Sequence, residues 1–246
     1  MTNKNNSRFS LRNLRTFDSL KNPVYRLYFS GSLGLMAAMN MHWMTNSLLI
    51  YRITGSATML GLMSVLSAVP QFALGLFGGT AADRMQKKNI IIVAQSGSAL
   101  VALGIAFTLT TGYISPERNS SWWVLIVNSV LQGTIWALMQ PSRQAIIPEI
   151  VSQEQVMNAV ALNSLGMNTL RLLAPALAGF LIDAFDFQAV FYAMTGLYMS
   201  AVFFTSFIPA TGTTSVRGAG AMSAIKDGLK YISHETTILA VIVFTL

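Results

Sequence analysis

Residues 90–111 read IIIVAQSGSALVALGIAFTLTT, twenty-two residues without a charge, closed on one side by Lys87-Lys88 and on the other by Gly112. At 1.5 Å of rise per residue this run makes a helix of about 33 Å, enough to cross a hydrocarbon core of about 30 Å. Five further runs of the same kind surround it. The first runs from Leu27 to Tyr51, the second from Met59 to Ala82, the fourth from Trp122 to Met139, the fifth from Met157 to Ile182 and the sixth from Ala189 to Ile208. A seventh apolar block, Thr237 to Leu246, starts as the sequence ends and reads as the beginning of a further span.

The composition agrees. Of the 246 residues 53% are hydrophobic and 10% are charged, and the mean hydropathy is +0.53. A soluble domain carries about 25% charged residues. So few charges cannot cover a water-soluble globule, which argues against a cytosolic enzyme, a secreted factor and a nucleic-acid binder, and too few charges are present for disorder. There are no cysteines and two histidines, His42 and His234. That excludes thiol chemistry and a histidine metal cage, and no cofactor or metal is expected. The lipid bilayer is the expected surrounding.

Lys and Arg collect on the cytoplasmic side of membrane proteins. With the N-terminus inside, thirteen of the sixteen basic residues fall in inner segments and two, Arg52 and Arg118, in outer loops. The sixteenth, Arg171, lies within the fifth span. The expected order is a basic cytoplasmic tail (1–26), a six-span bundle (27–208), a cytoplasmic linker (209–235) and the start of span seven (236–246). In the linker Met222, Ile225, Leu229 and Ile232 recur at steps of three and four, an amphipathic helix pattern.

Polar residues carry a hidden repeat. Gly79-Thr-Ala-Ala-Asp83 ends the second span and Gly179-Phe-Leu-Ile-Asp183 the fifth, one hundred residues later and at the opposite face. Two three-helix units of opposite topology are the inverted-repeat plan of secondary transporters. The predicted fold class is therefore an all-α membrane protein with six transmembrane helices in two inverted repeats.

Polar side chains inside spans are the candidates for function, because burying them in lipid is costly. Arg171 sits near the midplane of the fifth span, with no carboxylate at that depth. It meets either an anionic part of a substrate or a partner in a further half of the protein; snorkelling is the bland alternative. His42 and Asn46 share a face of the first span at i, i+4. His42 is the group able to titrate inside the bundle, either as a proton or substrate site or as a plain hydrogen-bonded imidazole. Gln71, Gln132 and Asn168 are further in-membrane amides, with Gln71 and Gln132 expected to line a cavity. Pro70 and Pro175 bend their spans, and Gly75, Gly179 and neighbouring small residues allow helices to approach closely.

The loop Gly79-Thr-Ala-Ala-Asp83-Arg84-Met-Gln-Lys87-Lys88 resembles the signature G-x-x-x-D-R-x-G-R/K-R/K of the major facilitator superfamily. Asn22-Pro23-Val-Tyr-Arg26, Pro141-Ser-Arg143-Gln-Ala-Ile-Ile-Pro148-Glu149 and Asn168-Thr-Leu-Arg171-Leu-Leu-Ala174-Pro175 extend the likeness. It is similar to the bacterial branch of enterobactin-type siderophore exporters and drug-efflux proteins. Three positions depart from the pattern: Gln86 replaces glycine in the loop, Ser129 stands where antiporter branches carry arginine, and Ala174 replaces the glycine before Pro175.

The resemblance implies twelve spans in two halves, of which this sequence matches the first half and the start of the second. It implies alternating access without enzymatic chemistry, export of a siderophore or drug-like small molecule, a proton as coupling ion and a bacterial inner-membrane location. It also implies an inner gate at Gly79, Asp83, Arg84, Lys87, Lys88 and Arg143, in which Asp83 latches onto a helix N-terminus. The alternative is a non-transporting scaffold or sensor, or an inactive half-transporter.

Overall fold

The structure, a computed structural model, describes residues 15–115 and 121–210, except the side chains of 15, 16 and 76–84. The linker helix pattern at 222–232 and the seventh apolar block lie outside the described residues. Every regular element described is helical: α1 Pro23–Thr54, α2 Ala57–Arg84, α3 Lys87–Thr110, α4 Trp122–Ile150 and α5 Val156–Ser206. A short 3-10 segment, Arg15–Lys21, precedes α1.

Local chemistry sets the ends of α1. Asn22 accepts hydrogen bonds from the Val24 and Tyr25 amides through its side chain, and Pro23 occupies the first helical position. Gly55 closes the helix in the left-handed region at φ 61°, its N–H bonding to the Tyr51 carbonyl. The Asn22 side chain also donates to the Ile150 carbonyl at 2.9 Å, so one residue starts α1 and satisfies the end of α4.

α5 is 51 residues long, but Asp186 breaks it with φ 64° and ψ 175°. We call residues 156–185 its first limb and 187–206 its second limb. The first limb runs parallel to α1: Tyr25 bonds to the Ala159 carbonyl and Ser32 to Asn163, and Gly179 touches Met44. The second limb runs back. Gly31 meets Ala201 and Thr205, Gly34 meets Leu197, and His42 meets Phe191. α2 and α4 run parallel, with Met63 against Ser129 and Ser67 against Gly133. α3 packs between α4 and α5.

Among the described glycines the tightest approach is at Gly133. A Cβ there would sit 2.2 Å from the Ser67 carbonyl oxygen. Gly34 fills the same role between α1 and the second limb, where a Cβ would lie 2.9 Å from Ser200 Oγ. Gly75, read above as a close-approach residue, faces open space within 4 Å.

Two buried clusters form the core. The larger joins Leu35, Ala38, Ala102, Ala174, Ala178, Phe191 and Tyr198. The second gathers Tyr25, Tyr28, Ile91, Ile146, Ile147 and Leu162 at the end where α1 begins. That second cluster explains a boundary. The apolar run of the fourth span ends at Met139, yet α4 continues through Pro141 and Pro148 to Ile150. Ser142, Arg143, Ile146 and Ile147 are buried on one face, and this packing carries the helix past both prolines.

Four described helical stretches are long and apolar enough to cross a membrane: Ala57–Gly75, Lys87–Thr110, Trp122–Ile150 and the broken Gln153–Ser206. α1, at 32 residues, is long enough but more polar, with Asn40, His42, Asn46 and Arg52 along it.

Candidate functional site

A cavity of about 170 Å3 opens between α1, α2, α4 and the second limb of α5. Each helix contributes a stripe at helical spacing. α1 presents Met39, His42, Trp43, Asn46 and Ile50; α2 presents Leu60, Met63, Ser67 and Gln71. α4 presents Ser129, Gln132, Trp136 and Met139, while Ser98 and Tyr198 close the remaining side. Gly133 brings α2 and α4 together at its wall.

The polar groups of this wall are only partly satisfied. Ser98 donates to Gln132 Oε1 at 3.2 Å, and Asn128 donates to Asn46 Oδ1 at 2.9 Å. Gln132 Nε2 and His42 Nδ1 are buried with no hydrogen-bond partner among the described residues. An unmade hydrogen bond at a buried polar atom costs about 1–3 kcal/mol, so two of the side chains that line the cavity each carry a polar atom whose bond is still to be made. Among the described residues the lining holds no Asp, Glu, Lys or Arg. Two indoles, a phenol and three methionines give it a broad apolar surface with deformable thioethers.

The structure thus brings His42, Asn46, Gln71 and Gln132 together. It does not bring Arg171 or Asn168 to them: both are exposed on the first limb and outside the lining. Among the described residues no carboxylate pairs with Arg171.

The α1-N-terminal end holds a second constellation. Lys87 is buried and ion-paired with Glu149 in the last turn of α4. Lys88 donates to the carbonyls of Ser206 (2.8 Å) and Ile208 (2.5 Å), capping the C-terminus of α5 with positive charge. Arg143, placed in a loop by the sequence reading, is buried inside α4; its guanidinium donates to Ser32 Oγ at 2.9 Å. Ser32 in turn donates to Asn163, and Tyr28 donates to the Arg143 carbonyl. The side chains of Gly79-to-Arg84, and with them Asp83, lie outside the described residues.

Sequence reasoning missed Glu149 as the partner of Lys87, and Ser67, Trp136 and Tyr198 as lining. The lining had a signal, since polar and aromatic residues recur at steps of three and four on α1, α2 and α4. The ion pair, 62 residues apart in sequence, had none.

Residues 15–246 match the profile of a family described as transmembrane secretion effector, one of the major facilitator groups. The chain belongs to the major facilitator superfamily. It is 25% identical over 198 residues to the uncharacterized MFS-type transporter YfiS of Bacillus subtilis, covering 78% of this chain and 45% of that protein. It is 29% identical over 147 residues to the staphyloferrin A transporter of Staphylococcus aureus, covering 60% and 36%. It is 24% identical over 181 residues to the multidrug resistance protein MdtH of Klebsiella pneumoniae, covering 73% and 41%. The chain spans less than half the length of these relatives. As a facilitator-family chain it is a multi-pass membrane protein of a family of non-enzymatic transporters.

Proposed function

We propose that this chain forms the first half of a secondary transporter that exports a small amphiphilic molecule by alternating access, with a proton as coupling ion. The observation that carries the reading is the cavity: its lining includes His42 and Gln132, whose buried Nδ1 and Nε2 have no hydrogen-bond partner among the described residues, inside an otherwise apolar bundle. The uncharged lining favours a cargo with an apolar body and hydrogen-bonding groups over a polyanion. His42 is the candidate proton site, being the one imidazole among the described lining residues, none of which is a carboxylate.

Six spans in two inverted repeats, with the N-terminus in the cytoplasm of a bacterial inner membrane, complete the proposal. Its support is the alternation of helix direction, the break at Asp186 and the one-hundred-residue offset between Gly79–Asp83 and Gly179–Asp183. The first limb of α5 would be the fifth span and the second limb the sixth. Gly79, Asp83, Arg84, Lys87, Lys88 and Arg143 would form the inner gate. Arg171, off the cavity wall, would serve at the surface the first limb presents.

The test is flux of a fluorescent amphiphile through proteoliposomes containing the full-length protein under an imposed pH gradient. Gradient-driven accumulation that Gln132→Ala weakens is expected. Equal signals from protein-containing and empty vesicles would favour a scaffold or sensor.

A further inference from the structure

The two ends of the bundle carry one device twice. At the α1-N-terminal end, Lys87 opens α3 and pairs with Glu149 in the last turn of α4. At the other end, Asp186 immediately precedes the second limb and pairs with Arg52 in the last turn of α1 at 2.7 Å. The offset of one hundred residues that relates Gly79–Asp83 to Gly179–Asp183 also relates Gln86-Lys87 to Asp186-Phe187. In each case a tight helix-to-helix junction is tied to the final turn of the helix that begins the other three-helix unit. The signs are exchanged: the junction is basic at one end and acidic at the other.

The two copies differ in strength. Lys87 and Glu149 have side-chain exposures of 8% and 24%; Arg52 and Asp186 are each 55% exposed, so water screens their attraction. Asp186 is also the sole non-glycine residue with positive φ among the described residues, at φ 64° and ψ 175°, a region that essentially only glycine occupies at ease. Two ties hold this strained residue. Its Oδ1 accepts from Arg52 Nη1 and, at 2.8 Å, from the Phe187 amide. The Arg52 guanidinium also lies 5.2 Å from the centre of the Phe187 ring. A strained backbone held by an exposed pair yields before a buried pair on an unstrained junction.

We propose that Arg52 and Asp186 form a releasable clasp at the outer end of the bundle, the charge-exchanged counterpart of the Lys87–Glu149 pair. Its opening would let the second limb of α5 swing relative to α1. Both elements line the cavity, through Tyr198 on one and His42 and Asn46 on the other. Arg52 and Asp186 are positioning residues that touch no cargo. The inference rests on the six-span reading above.

These 246 residues hold no cysteine, and any elsewhere in the full-length protein is first replaced by serine, so that introduced ones report alone. Tyr51→Cys and Phe185→Cys, both at exposed positions beside the clasp, carry spin labels in the full-length protein in liposomes. Two inter-label distances are expected, their ratio changing with an imposed pH gradient. Asp186→Asn keeps an acceptor for the Phe187 amide but loses the charge, and should shift the ratio toward the longer distance by about five-fold, the scale of an exposed pair. Arg52→Gln should do the same. Both should change the maximal flux and leave cargo affinity unaltered. One short distance, unmoved by the gradient and by both variants, overturns the clasp. Distances that respond while the full-length protein moves no cargo support the clasp and remove the transport reading instead.

Discussion

Lys87 and Glu149, 62 residues apart in sequence, meet as a largely buried ion pair that fastens the start of α3 to the end of α4. Removing one member leaves the other charged and poorly hydrated. Glu149→Gln is expected to destabilise the protein by about 3 kcal/mol, the low end for a broken buried pair because Glu149 keeps some water contact. Thermal unfolding in detergent checks this. The double variant Lys87→Met with Glu149→Leu should recover most of the loss, since an apolar pair leaves no orphaned charge.

Gly133 and Gly75 give opposite expectations for the same change. Gly133→Ala drives a methyl into the Ser67 carbonyl, which belongs to a helix backbone that cannot turn aside, and should cost about 2–3 kcal/mol. Gly75→Ala meets nothing within 4 Å and should be neutral or stabilising by up to about 1 kcal/mol through helix propensity. Unfolding temperatures of the two variants, compared side by side, decide the matter. Equal losses would contradict the packing of α2 on α4.

Asn22→Ala removes two bonds to the first turn of α1 and one to the Ile150 carbonyl. A lost N-cap costs about 1 kcal/mol. The expected loss exceeds that, because the end of α4 is loosened as well. Hydrogen exchange should rise both in the first turn of α1 and around Val151.

Gln132→Ala should weaken cargo binding about ten-fold, near the upper worth of one hydrogen bond to a neutral group. Trp43 and Trp136 line the same cavity, so quenching of their fluorescence by cargo reads the affinity directly. Arg171→Ala should leave that affinity unchanged, since the residue stands off the wall. A ten-fold loss at Arg171 would restore it to the cargo path.

What could be read from the sequence followed from cost. An uncharged run as long as 90–111 has few solutions other than a membrane helix, and an amide or imidazole such as Gln132 or His42 inside such a run needs a reason to be there. Helical spacing then placed His42 beside Asn46. Depth was legible, but direction around the helix was not. Arg171 lies in a helix apolar enough to span, yet it is exposed and off the cavity lining, an outcome of how the whole bundle packs that its own neighbourhood does not spell. The course of α4 past Met139 was hidden for a similar reason. Pro141, Arg143 and Pro148 spell a loop locally, and the apolar contacts of Ile146 and Ile147 with Tyr25 and Tyr28 override that spelling. Asp186 carried no local mark of a strained break, because the strain is sustained by Arg52, 134 residues earlier.

The central claim is that the cavity between α1, α2 and α4 opens to the two sides of the membrane in turn. The most direct measurement places a single cysteine at Gln71 in the full-length protein, in membranes of known sidedness, and follows its reaction with a membrane-impermeant maleimide added to one face or the other. The account predicts reaction from both faces, with the balance reversed by inverting the pH gradient and both rates slowed by cargo. Reaction from one face alone, whatever the gradient or cargo, would contradict it.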